Sequence, residues 1–165
     1  MSGDVRKVCM LGDFSVGKTS LVSRFVHQAF SERYLTTVGV KIDTKSVQLP
    51  EVPVKLVIWD LAGSSPDNGA AHSYLVGTRG MVLVADGTRP ETLVSALRIH
   101  QRAEAMIGAQ PTVLLVNKAD LVADWRVDPL DLASAREWAL GVWESSALSG
   151  AHVDEAFVAL AAALR

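Results

Sequence analysis

The chain lacks the features typical of secreted, membrane-spanning and nucleic-acid-binding proteins. Its only cysteine among 165 residues is Cys9, which excludes a disulfide framework and favours a reducing, cytoplasmic location. No long apolar segment occurs at the N-terminus, so the sequence predicts neither a signal peptide nor a membrane span. The net charge of -2 argues against a nucleic-acid partner. We therefore expect one globular domain over residues 1–165 and a monomer.

A glycine-rich stretch near the N-terminus carries the strongest motif. Residues 12–19 read G-D-F-S-V-G-K-T, which matches the P-loop pattern G-x-x-x-x-G-K-T. Gly12 and Gly17 stand where the backbone must approach phosphate oxygens, and the N–H groups of such a turn face an anion. Lys18 offers a charge to the β- and γ-phosphates, and Thr19 offers a hydroxyl to Mg²⁺. An apolar run before the loop and a helical pattern after it give the strand–loop–helix context of this motif.

The rest of the chain alternates between strand and helix patterns. The predicted elements are strands over residues 38–49, 52–59, 80–85, 112–116 and 142–143 and helices over residues 71–77, 90–107, 130–140 and 154–164. In the helix over residues 90–107, the side chains predicted to face the core are Leu93, Leu97, Ala103 and Met106. The helix over residues 130–140 is expected to be capped near Asp128. We predict an α/β P-loop fold with a six-stranded, mostly parallel sheet, one antiparallel edge strand and helices on both faces.

Two polar motifs follow predicted strands, at the sheet edge where ligands bind. Asp60 comes after an apolar strand and can hold the Mg²⁺ shell, while the backbone N–H of Gly63 can reach a γ-phosphate. The second motif, N-K-A-D, begins at Asn117, and its carboxylate, Asp120, can accept the paired donors of guanine that adenine lacks. The alternative for the first motif is an ordinary turn, and the alternative for the second is a polar cap after a buried strand. The following S-S-A segment at residues 145–147 can bring backbone N–H groups to the base.

The order of the motifs G-D-F-S-V-G-K-T, T-T-V-G, W-D-L-A-G, N-K-A-D and E-S-S-A resembles the Ras superfamily of small GTPases, and Rab-type proteins in particular, over essentially the whole chain. The resemblance implies that Thr37 meets Mg²⁺ and the γ-phosphate, that Phe30 packs on guanine and that Tyr34 covers the phosphates. The positions where Rab-like proteins carry an apolar triad read by effectors are Ile42, Trp59 and Tyr74. For Trp59, simple packing is an equal alternative.

These arguments lead to three sets of candidate residues. The predicted nucleotide-binding residues are Asp13, Ser15, Val16, Gly17, Lys18, Thr19, Ser20, Phe30, Tyr34, Thr37, Gly63, Asn117, Lys118, Asp120, Ser146, Ala147 and Leu148. The predicted Mg²⁺ ligands are Thr19, Thr37 and Asp60. The residues predicted to act in hydrolysis are Lys18, Thr37, Gly63 and Ser64.

The sequence also departs from the family pattern. Ser64 replaces the glutamine that orients the attacking water, and Phe14 replaces a small residue near the γ-phosphate. Leu148 stands where the family usually has lysine. The long tail and the prenylated cysteine of Rab proteins are missing, so we expect no direct membrane anchor in this chain. This indicates a bacterial relative, a truncated chain or a domain cut from a longer chain, and the Ala-rich last helix favours the first.

Three functions follow from these patterns. The first is a molecular switch that binds GTP or GDP with Mg²⁺, hydrolyses GTP slowly and contacts effector, exchange and activating proteins. The second is a GTP-binding interaction module with negligible turnover, favoured by Ser64 and Phe14. The third, a P-loop kinase or ATPase, is disfavoured by the N-K-A-D motif.

Overall fold

A computed structural model of the chain describes residues 5–30, 39–61 and 71–165. The strands are β1 (Val5–Leu11), β2 (Val40–Val47), β3 (Val54–Leu61), β4 (Gly80–Asp86), β5 (Thr112–Asn117) and β6 (Gly141–Glu144). The helices are α1 (Lys18–His27), α2 (Ala71–Leu75), α3 (Pro90–Ile107), α4 (Ala133–Trp138) and α5 (Val153–Leu164), with 3₁₀ turns at Val122–Asp124 and Pro129–Leu132. The predictions for Tyr34, Thr37, Gly63 and Ser64 fall outside the described residues.

The six strands form one sheet in the order β2-β3-β1-β4-β5-β6. Edge strand β2 pairs with β3 in an antiparallel way, and the other four neighbouring pairs among the described strands are parallel. In the β2–β3 hairpin, β3 begins at Val54, two residues later than predicted, and ends at Leu61. The predicted α/β fold class is confirmed.

Alternate residues of the central strands face two separate cores. On one face, strand residues such as Met10 and Ile58 pack with α1 and α5, where the rings of Phe25 and Phe157 stack with their centroids 4.2 Å apart. On the other face, strand residues such as Cys9 and Leu11 pack with α3 and α4. A parallel strand buried on both faces reads as a continuous apolar run, as β4 does.

Two details of the predicted helices were wrong. Residues 130–140 do not form one helix, because the side chain of Asp128 accepts a hydrogen bond from the Leu130 N–H and starts a 3₁₀ turn, and α4 begins only at Ala133. The predicted cap at Asp128 is thereby confirmed. Met106 is exposed rather than in the core, because in the last turn of α3 it is Ile107 that packs against the core cluster.

A buried histidine joins α3 to α4. The His100 ring stacks on Trp138 with a centroid distance of 4.1 Å, and its Nε2 lies 3.1 Å from Oε2 of Glu104. Burial lowers the pKa of His100 from its usual value, although the charge of Glu104 acts in the opposite direction. The folded protein therefore favours the neutral imidazole.

We predict that this histidine makes the protein less stable in mild acid. Because the folded pKa is the lower one, the contribution of His100 is complete above the unfolded pKa of about 6.5 and is lost as pH falls toward the folded value. The free energy of unfolding, measured in urea between pH 7.5 and pH 5, should fall more steeply with decreasing pH for the wild type than for His100→Gln. Equal slopes for the wild type and His100→Gln would contradict the prediction.

Candidate functional site

The polar residues singled out by the sequence meet at the carboxyl ends of the parallel strands. The P-loop follows β1, Asp60 lies near the end of β3, and Asn117 closes β5. Residues 145–147 follow β6, which is the next strand in the sheet. The sheet order therefore brings together motifs that are more than 100 residues apart in the chain.

Both P-loop glycines are required because other atoms lie too close to leave room for a Cβ. A Cβ on Gly12 would lie 2.4 Å from the carbonyl oxygen of Val84, and a Cβ on Gly17 would lie 2.2 Å from Nδ2 of Asn117. Gly17 also has a φ of +104°, which side-chain-bearing residues rarely adopt. The loop is thus pressed against β4 on one side and against the N-K-A-D motif on the other.

Side chains from the loop and from β5 bind the P-loop carbonyls. Lys18 Nζ donates to the carbonyl oxygens of Gly12 at 2.9 Å and Asp13 at 3.0 Å. From the end of β5, Asn117 Nδ2 donates to the carbonyl of Val16 at 3.0 Å. These bonds matter because a backbone carbonyl buried without a donor would cost free energy.

Two more cations bind the middle of the loop. Lys118 Nζ lies 2.9 Å from the carbonyl oxygen of Ser15, and an Arg89 amino group lies 3.0 Å from that of Phe14. Both cations also contact the buried carboxylate of Asp86, at 2.8 Å for Lys118 Nζ and 3.0 Å for Arg89 Nε. The middle of the P-loop is therefore held from outside by one carboxylate and two cations.

Lys18 is itself buried, and burial lowers its pKa. The charges of Asp60 and Asp13 oppose this effect. A buried ammonium close to backbone N–H groups makes the concave side of the loop a strongly anion-attracting surface.

The donor set beside the loop fits a hard divalent cation. The Thr19 hydroxyl donates to Oδ2 of Asp60 at 2.6 Å, so two oxygen groups from β3 and the start of α1 already lie together. Mg²⁺ prefers such oxygens and usually binds only one or two protein groups besides phosphates and water. Consistent with this, no cluster of three or more His, Cys, Asp or Glu side chains suited to a metal occurs among the described residues.

The predicted base-binding residues also lie together. The Ser146 hydroxyl donates to Oδ1 of Asp120 at 2.7 Å. Arg24 of α1 donates to the carbonyls of Ala147 at 2.8 Å and Leu148 at 2.6 Å, which fixes the loop after β6. The side chain of Leu148 is exposed, so the residue that replaces the family's lysine is in contact with solvent.

The remaining candidate residues differ in exposure. Val16 is fully buried and Ser20 is partly buried, so Val16 can act on a ligand only through its backbone. Phe14 and Phe30 are exposed, with Phe14 at 55%. The side chain of Phe14 therefore contributes little to the core.

The predicted effector triad forms a half-buried surface. Ile42 is exposed and pairs across the hairpin with Trp59. Trp59 and Tyr74 pack against the α3-side core, and Lys7 Nζ lies 3.7 Å from the centroid of the indole ring. Lys7 also donates to the carbonyls of Tyr74 and Val76 at the end of α2. For Trp59, packing is therefore established, and contact with a partner stays a prediction.

Sequence reasoning missed three residues of this site. Asp86, Arg89 and Arg24 carry no family motif that was used above. A usable signal existed for Asp86, because it ends an apolar strand just as Asp60 does. No sequence pattern indicated that Arg89 or Arg24 would reach loop carbonyls 75 and 123 positions away, respectively.

Comparison with known proteins assigns the fold and the site to a family. The model of the Ras family matches residues 7–165, which is nearly the whole chain. The chain belongs to the Ras family. Ras-related protein RABA3 of Arabidopsis thaliana is 37% identical over 159 residues, covering 94% of this chain and 67% of the relative. GTP-binding protein yptV2 of Volvox carteri is 34% identical over 158 residues, covering 94% and 73%.

Membership in the Ras family makes the chain a small GTP-binding switch protein, and these relatives place it among the Rab-like members. None of the helices in the described part of this Ras-family protein is both long and apolar enough to cross a membrane.

We predict that Gly17→Ala damages the site more than its positive φ alone explains. Gly77, in the turn after α2, also has a positive φ, of +81°, but a Cβ there would meet nothing within 4 Å. Gly77→Ala should therefore report backbone strain without a clash, about 1–3 kcal/mol. Gly17→Ala adds the clash with Asn117 and should lower the melting temperature further and abolish tight nucleotide binding. Thermal unfolding and a nucleotide titration of both variants provide the test, and equal effects would show that the predicted clash does not matter.

Proposed function

We propose that residues 1–165 form one G domain that binds GTP and GDP with Mg²⁺ and contacts effectors through residues 30–40 and 63–77. The observation that supports this most directly is the shared placement of the P-loop, Asp60 and Asp120 at one edge of the sheet. Phosphate, metal and base recognition each have a candidate group there.

In this proposal each group has a separate task. Lys18 exchanges its loop carbonyls for the β- and γ-phosphates, which accept stronger, charge-assisted hydrogen bonds. Thr19 and Asp60 hold Mg²⁺, with Thr37 as a further ligand, and the ion neutralises charge on the phosphates. Asn117 keeps the loop attached to β5, and Asp120 accepts hydrogen bonds from guanine.

Effector contact is proposed for the surface that Ile42, Trp59 and Tyr74 share. The exposure of Ile42 beside a half-buried Trp59 supports it, because a large apolar side chain at a sheet edge is suited to partner contact. A Ras-family protein with Rab-like relatives is expected to turn over GTP, and these relatives do not favour the module with negligible turnover.

We predict that Asp120→Asn changes the base preference. The amide would offer donors where guanine also offers donors, so affinity for GDP should fall on the order of 100-fold while affinity for the xanthine nucleotide rises. Asp124→Asn, an exposed carboxylate four residues later, is the matched control and should bind as the wild type does. Equilibrium titration with fluorescent GDP, XDP and ADP measures the effect. A wild type that binds ADP as tightly as GDP would overturn the proposed base recognition.

The same titration with GTP in excess chelator addresses the metal. Because Thr19 and Asp60 would hold Mg²⁺, whose charge would offset that of the phosphates, GTP affinity should fall when the ion is removed. Unchanged affinity would contradict the role proposed for this oxygen pair.

We further predict slow unaided hydrolysis. Ser64 is too short to orient water as glutamine does, and family members with glutamine already react at only about 10⁻⁴ s⁻¹. Ser64→Gln should speed hydrolysis. The double variant, Ser64→Gln with Phe14→Gly, should exceed the rate expected from the two single effects combined, because both residues border one cavity in this proposal. Single-turnover phosphate release from the four proteins of this cycle measures the coupling. A wild-type rate equal to that of relatives with glutamine would contradict the prediction.

A further inference from the structure

Each of the five backbone carbonyls of P-loop residues 12–16 accepts a hydrogen bond from a side chain. Lys18 serves residues 12 and 13, Arg89 serves Phe14, Lys118 serves Ser15, and Asn117 serves residue 16. Lys18, Lys118 and Asn117 come from motifs of the family. Arg89 is the one donor that no motif supplied, and it lies at the start of α3 rather than in the loop or in the N-K-A-D segment.

The position of Arg89 is fixed before its side chain reaches the loop. Its N–H donates to the carbonyl of Asp86 at 2.9 Å, and Pro90 follows it as the first residue of α3. Thr92 ties the same turn together, since its hydroxyl contacts the backbone of both Asp86 and Arg89. The arginine therefore extends from a rigid turn.

Asp86 links the arginine to Lys118 of the N-K-A-D motif. Its side chain is 1% exposed, and Oδ1 accepts from the N–H and hydroxyl of Thr88 at 2.8 and 2.6 Å. Oδ2 accepts from both Lys118 Nζ and Arg89 Nε. Burial alone would raise the pKa of Asp86, but the hydrogen bonds from Lys118, Thr88 and Arg89 outweigh it and lower the pKa. The carboxylate is charged and holds both cations.

An ion pair with one partly exposed member is by itself worth little. Arg89, however, uses two different nitrogens for two different acceptors, Nε for Asp86 and an amino nitrogen for the Phe14 carbonyl. The planar guanidinium makes such a divided contact directional, which a lysine ammonium cannot reproduce. The geometry is thus that of a clamp between the start of α3 and the P-loop.

The clamp acts on one peptide plane. A trans peptide is planar, so the carbonyl of Phe14 and the N–H of Ser15 point in opposite directions. Arg89 holds that carbonyl by a hydrogen bond, and because the peptide is planar it thereby also fixes the direction of the Ser15 N–H, which we expect to face a bound phosphate. Lys118 does the same for the next peptide through the carbonyl of Ser15.

We propose that Arg89 is a positioning residue that sets how long the nucleotide stays bound, by orienting the Phe14–Ser15 peptide through its contacts with Asp86 and the P-loop. This inference rests on the proposed nucleotide binding. It assigns a role in nucleotide retention to the start of α3, an element that contributes no side chain to the predicted nucleotide, base or metal contacts.

Dissociation of fluorescent GDP, chased with excess unlabelled GDP in Mg²⁺ buffer, tests the proposal. Arg89→Gln should release GDP about threefold to tenfold faster, the ratio that one net hydrogen bond contributes. Arg89→Lys keeps the charge but loses the divided contact and should be intermediate. Arg98→Gln, an exposed arginine later in the same helix, should leave the rate unchanged.

A second measurement separates positioning from general stability. In the ¹⁵N-labelled protein, GDP binding should move the Ser15 amide proton downfield, and this displacement should be smaller in Arg89→Gln while amides of buried β4 keep their positions. If Asp86 is the link, Arg89→Gln combined with Asp86→Asn should release GDP no faster than Asp86→Asn alone.

The outcomes are distinguishable. Wild-type release rates in Arg89→Gln, or an unchanged Ser15 displacement, would overturn the role of Arg89 and leave the proposed function intact. A wild-type protein that binds no guanine nucleotide would overturn the proposed function, and the role of Arg89 would fall with it.

Discussion

The site depends on the hydrogen bonding of six consecutive carbonyl groups. An anion-binding loop must turn its N–H groups inward, and the carbonyls that face outward would be costly to bury without donors. Residues 12–16 meet this requirement with side chains from α1, the start of α3 and the end of β5, while the carbonyl of Gly17 accepts the N–H of Leu21 within the first turn of α1. The conformation of the loop is therefore imposed by the surrounding elements and not by its own sequence alone.

The sheet makes this arrangement possible. Because β1 lies between β3 and β4, the loop that follows it is flanked by Asp60 on one side and by Asp86 on the other. The two carboxylates are similarly placed but have different partners. Asp60 accepts from the Thr19 hydroxyl, and its charge also acts on Lys18, whereas Asp86 accepts from Lys118 and Arg89. Equivalent strand ends thus provide the group proposed to hold the metal and a structural anchor.

Sequence patterns predicted most of this architecture, and the failures have physical reasons. The P-loop, the hairpin and the long helix over residues 90–107 were predictable because glycine spacing and apolar periodicity are local signals. The split of residues 130–140 depended on the Asp128 cap and its 3₁₀ geometry, and the exposure of Met106 depended on Ile107 being the residue of the last turn of α3 that packs against the core. Arg89 could not be found in this way, since an arginine before a proline looks like any helix start until the fold brings Phe14 beside it.

The contact of Lys7 with both Trp59 and the end of α2 has an optical consequence. The ammonium of Lys7 lies over the indole ring while it binds the carbonyls of Tyr74 and Val76. If the end of α2 moves, Lys7 must either lose those carbonyls or leave the indole face, and in both cases the electric field at the ring changes. The emission of one native tryptophan is thereby coupled to the position of a neighbouring helix, so the protein carries its own reporter of that helix without an attached dye.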